Sequence, residues 1–81
     1  MSRRRKVTIV ERKLRGNIVG KCWPDGTIEL DPRQLPKDFL ATAIHECLHE
    51  AYPDLTEAEV IIGERIVARV LWKLGYRRMM L

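Results

Sequence analysis

Hydrophobic positions in this chain alternate with polar ones over the first third and recur at helical spacing over the rest. Lys6-Val7-Thr8-Ile9-Val10-Glu11 is rich in β-branched residues and reads as a strand. A turn at Gly16-Asn17 leads into Ile18-Val19-Gly20-Lys21-Cys22-Trp23, a second strand with Gly20 as a candidate bulge. Pro24-Asp25-Gly26 carries turn chemistry and runs directly into a third strand, Thr27-Ile28-Glu29-Leu30-Asp31. There Ile28 and Leu30 alternate with polar neighbours, which predicts one face on the core and one in water. The short connections predict three antiparallel strands in a meander.

Asp31-Pro32 ends the sheet, and Pro36 suits the first turn of a helix running to about Glu50. Leu40, Ile44, Cys47, Leu48 and Ala51 form its apolar face, so Cys47 is expected in the core as a small hydrophobe and not as a ligand. Tyr52-Pro53-Asp54-Leu55 stops this helix. Thr56-Glu57-Ala58-Glu59 then has the form of a capping box, and Val60, Val67, Val70, Leu71 and Leu74 carry a second helix to about Gly75. The predicted fold class is α+β: a three-stranded antiparallel sheet, then a helix and a second helix antiparallel to it. Residues 7–78 form one domain behind a basic tail at residues 1–6.

Length and composition narrow the setting. At 81 residues there is room for one small core, and 46% hydrophobic with 32% charged residues is a globular balance. No apolar run reaches membrane-spanning length, and the basic N-terminus lacks the apolar stretch of a secretory signal. Two cysteines, Cys22 and Cys47, make no disulfide framework and favour a reducing compartment, so the expected location is the cytoplasm. The formal charge of +4 gathers at Arg3-Arg4-Arg5-Lys6 and Arg77-Arg78, as solubilising ends or as attractors of nucleic acid or an acidic partner. The few aromatic residues offer no stacking platform for bases.

The only two histidines stand in His45-Glu46-Cys47-Leu48-His49, which fits H-E-x-x-H. Four residues apart on a helix, both imidazoles reach one metal ion, and Glu46 projects beside it to accept a proton from a water that the metal activates. The plain alternative is a pair of solvated helical histidines beside a surface glutamate. A catalytic zinc takes three protein ligands, so the third is a carboxylate or Cys22. Tyr52 and Leu55 stand where the metzincin motif needs glycine and histidine. In a helical hairpin folded about Pro53-Asp54, Glu57 and Glu59 come level with His49, and Glu64 lies further along. Glu59 already has work as the capping-box partner of Thr56, so Glu57 ranks first as ligand, then Glu64, then Glu59. Tyr52 and Tyr76 are candidates to stabilise an oxyanion.

An I-x-L strand (Ile28, Leu30), a helix bearing HExxH and then an acidic helix resemble the minimal core of the zincin metallopeptidases. The pattern is similar to the SprT-like and ImmA/IrrE-like groups and to very small gluzincins. His-Glu-Cys-Leu-His followed by Pro-Asp-Leu-Thr-Glu, and later Val70 to Arg77, also resembles small HExxH proteins encoded by bacteriophages. The resemblance implies a zinc-dependent (Zn2+) metallopeptidase of a phage or prophage, acting on a peptide or protein substrate in the bacterial cytoplasm. It further implies that Thr27 to Asp31, with Ile28, Glu29 and Leu30, is the edge strand that pairs with substrate. The alternative is a non-enzymatic, zinc-stabilised module that binds nucleic acid or a partner protein through its basic termini.

Overall fold

The computed structural model describes residues 6–79, so the expected basic tail, Lys6 apart, lies outside the described residues. Five elements follow in order: β1 Thr8–Glu11, β2 Gly20–Cys22, β3 Thr27–Leu30, α1 Pro36–Ala51 and α2 Glu57–Lys73. The fold is α+β, but the sheet is mixed and not an antiparallel meander. Its order is β1-β3-β2, with β3 antiparallel to β2 and parallel to β1.

The β2–β3 hairpin forms as its turn residues predict. Trp23 N–H donates to Thr27 O at 2.8 Å, and Gly26, with φ of 92°, closes the turn. The departure lies in the segment between β1 and β2, which is not a hairpin. It must cross the slot that β3 fills, about two strand spacings or roughly 10 Å, and residues 12–19 do so by arching over the end of β3. Leu14 tucks its side chain into the core at the top of this arch, and its N–H donates to Asp31 Oδ2 at 2.9 Å. Arg33 ties the top of the arch to the end of β3, bonding both Asp31 oxygens and Leu14 O.

A central strand must be covered on both faces, and β3 is. Ile28 and Leu30 are buried in the core. Glu29 on the opposite face is also buried, against expectation, because Trp23 Nε1 donates to it at 2.8 Å and Arg12 Nε lies 2.8 Å from its other oxygen. The pairing of β3 on both edges also corrects its expected role: Ile28, Glu29 and Leu30 have no free edge to offer a substrate peptide.

Helix α1 lies between two layers, packing on β2 and β3 and on α2, whereas α2 packs on α1 and on no strand. Pro36 sits in the first turn of α1, and Pro53 follows its last residues. The capping box of α2 forms in both directions: Glu59 N–H donates to Thr56 Oγ1 and Thr56 N–H to Glu59 Oε1. At the other end Gly75, with φ of 90°, closes a Schellman motif through its N–H to Trp72 O and Tyr76 N–H to Leu71 O. Of the expected apolar stripe on α2, Val60 is fully buried, while Val67, Val70 and Leu74 are exposed. Cys47 is likewise exposed and not in the core, because α1 carries it past the sheet to a shallow hollow beside Val7 and Ile28.

The Asp31 latch makes stability depend on acid in a defined direction. Hydrogen bonds from Arg33, then from the backbone of Leu14 and of Arg33, hold the Asp31 carboxyl far below the usual carboxylate range. A group with a depressed folded pKa stabilises above its unfolded pKa, here about 4, and that contribution is lost as the pH falls below it. Urea unfolding should therefore find wild type more stable than Asp31→Asn at pH 7, with the gap narrowing steadily below about pH 4.

Candidate metal centre

The geometry of the site begins with a glycine. A Cβ on Gly20 of β2 would lie 2.6 Å from Thr42 Cγ2 and 3.1 Å from Glu46 Cγ. Only a bare backbone lets α1 come this close to the strand, which is why a glycine stands inside a strand where it otherwise weakens pairing. The approach buries Glu46. Burial pushes the Glu46 carboxyl above the usual range; the two histidines pull it down, and Glu57 and Glu64 add to the rise.

On a helix turning about 100° per residue, His45 and His49 lie about 100° and 60° around α1 from Glu46, on the side toward α2. The capping box starts α2 one turn beyond the end of α1, so its first acidic residue arrives level with His49. Glu57 then bridges both imidazoles: Oε1 lies 2.8 Å from His49 Nε2 and Oε2 lies 3.2 Å from His45 Nε2. The rings stand edge to face with centroids 4.9 Å apart. Glu64, two turns on, accepts from His45 Nδ1 at 2.7 Å.

With Nδ1–H donated to Glu64, His45 turns Nε2 toward a carboxylate oxygen of Glu57, and the two atoms need a proton or a cation between them. No lysine or arginine pairs with Glu46, Glu57 or Glu64 among the described residues. His45, His49 and Glu57 could hold a metal ion: one ligand atom from each lies within 4.8 Å of the others. Two imidazoles and a carboxylate are a donor set that zinc accepts, with ligand bonds of about 2.0–2.2 Å.

The sequence ranking of Glu57 first agrees with this cluster. Glu64 is close to the site but orients His45 instead of joining the cluster, the arrangement in which a carboxylate fixes the tautomer of a ligand. Glu59 stays in the capping box. Cys22 is also outside the cluster; its thiol donates to Glu50 Oε1 at 3.5 Å. The cleft in front of the histidines has a volume of about 650 Å³, and β2 and Trp23 form one wall. Neither Tyr52 nor Tyr76 lines it. The two features that sequence reasoning missed are that wall and the close approach at Gly20; an isolated strand glycine was their only signal.

Compared with known protein families, with curated proteins and with solved structures, the chain matches none.

Two tests follow from the geometry. Gly20→Ala should lose about 1–3 kcal/mol of stability by overpacking. Adding Thr42→Ser, which deletes the clashing methyl and keeps the hydroxyl bond to Gln34, should recover part of that in chemical denaturation. In zinc titrations against a competing chelator, Glu57→Gln should weaken binding most, and Glu64→Gln should weaken it by about 10–100-fold. Glu59→Ala should leave zinc affinity unchanged and lower stability by about 1 kcal/mol, the loss expected when a capping box loses one of its acceptors.

Proposed function

We propose that this protein is a zinc-dependent peptidase in which His45, His49 and Glu57 hold the ion and Glu46 is the general base. The observation that carries the reading is the convergence of both Nε2 atoms on Glu57, with a buried glutamate beside them at an open cleft. When bound, zinc supplies Lewis acidity that polarises a carbonyl and lowers the pKa of a water toward neutrality.

The chain's own residues do the remaining work. Glu64 keeps His45 in the tautomer that presents Nε2. Glu46, its carboxyl raised by burial, takes the proton of the attacking water and passes it to the departing amine, so that water adds across the cleaved peptide bond. The substrate strand is β2 and not β3, because β2 is an edge of the sheet and walls the cleft. An extended peptide would add to the sheet along β2 by strand addition.

No helix among the described residues is long and apolar enough to cross a membrane. The likeness to small phage-encoded HExxH proteins and the lack of a disulfide framework support action in the reducing cytoplasm of a bacterial host.

Glu46→Gln should lower cleavage of a fluorescently labelled, denatured casein by roughly 10²–10⁴-fold while the variant still binds about one zinc per chain. Cleavage that survives this substitution would sink the mechanism. Zinc binding without cleavage by the wild type would favour the alternative, a zinc-stabilised binding module.

A further inference from the structure

Helix α2 has one partner among the described elements. It packs on α1 and touches no strand, with Val60, Glu57 and Glu64 turned toward that helix. Its opposite side carries Ile62, Ile66, Val70 and Leu74, which are 60%, 57%, 49% and 68% exposed. Spaced four apart, they form one apolar ridge about 18 Å long at 1.5 Å per residue. Single exposed apolar residues are ordinary on a monomer surface, whereas an unbroken ridge marks an interaction face.

The ridge is bracketed by opposite charges. Glu59 stands three residues before Ile62 and Lys73 three residues after Val70. At about 100° per residue both lie within about 20° of the direction in which Ile66 points. Neither has an ion pair among the described residues. Glu59 uses Oε1 for the capping box, and no hydrogen bond occupies its Oε2.

The face is therefore complementary to itself. We infer that a second copy of this chain covers it, with the two α2 helices antiparallel about a twofold axis at Ile66. In that register facing residue numbers sum to 132: Ile66 meets Ile66 of the second copy, Ile62 meets Val70, and Glu59 meets Lys73, the last two pairs occurring twice. Leu74 comes opposite Ala58, which leaves it room. An anionic lipid surface would suit Lys73 but not Glu59, and a partner of one charge would satisfy only one end. Both clefts remain open, because Glu57 and Glu64 lie about 160–180° around α2 from Ile66. This association rests on no part of the peptidase reading.

The test is sedimentation equilibrium of the full chain, with and without zinc, from micromolar to millimolar concentration. A reversible dimer with a Kd on the order of 10–100 µM is expected, since one helix face is smaller than a standard interface. Ile66→Asp, which brings two carboxylates together at the axis, should weaken it by more than about 100-fold. Lys73→Glu should weaken it roughly tenfold, and Glu59→Lys combined with Lys73→Glu should restore most of the loss. Circular dichroism of each variant checks that α2 is intact. A chain monomeric to about 1 mM overturns the inference. So does a dimer indifferent to Ile66→Asp, or a double charge variant no better than Lys73→Glu alone.

Discussion

The distance between β2 and α1 governs the site. Gly20 lets the helix approach until Thr42 and Glu46 touch the strand backbone, and three consequences follow from that single contact. Glu46 is desolvated and its carboxyl rises. The histidines, about one sixth to one third of a turn away, are directed at α2 and not at the sheet. The cleft gains a wall of backbone from a strand at the edge of the sheet. A side chain at position 20 would disturb all three together, so the most consequential residue of the site outside the HExxH segment has no functional group.

The second constraint is electrostatic. Glu46, Glu57 and Glu64 surround two imidazoles, with no lysine or arginine paired to them among the described residues. In partly buried surroundings such a group of acids is unfavourable unless protons or a cation neutralise it. The carboxylates differ in what they can do. Glu57 spans both Nε2 atoms and could join them in holding an ion. Glu64 is tied to the far nitrogen of His45, and Glu46 is held off against β2. Three like residues thus sit in three different environments by position alone.

Much of this was legible in the sequence, and the failures have physical causes. The helices were readable because their ends carry local chemistry: Pro36 and Pro53 bound α1, and Thr56 and Gly75 bound α2. The numbering of a tight helical hairpin then brought Glu57 to His49. The strands were located but their order was not, since strand order is set by non-local pairing that alternation does not encode. The turn at Gly16-Asn17 suggested a hairpin, whereas Asp31 and Arg33 hold this segment as an arch from outside it. That error propagated into function, because an antiparallel meander left β3 at an edge and made Ile28 to Leu30 the substrate strand. Cys47 was misplaced for a related reason: a helical wheel gives a direction but not where the neighbouring sheet stops.

The thin support of α2 connects the site to the rest of the molecule. Only Leu14, Ile28, Leu30 and Val60 are buried apolar side chains among the described residues, and of these only Val60 belongs to α2. Yet α2 supplies Glu57 and Glu64, so the residues that complete the site ride on a helix that packs on α1 alone among the described elements. A helix held on one side alone is expected to fray or tilt more readily than one held on two. An ion shared by His45, His49 and Glu57 would tie α2 to α1 from within the hairpin and so sharpen the site. In a domain this small, binding and folding draw on the same few contacts, and the geometry of the site cannot be separated from what holds α2 in place.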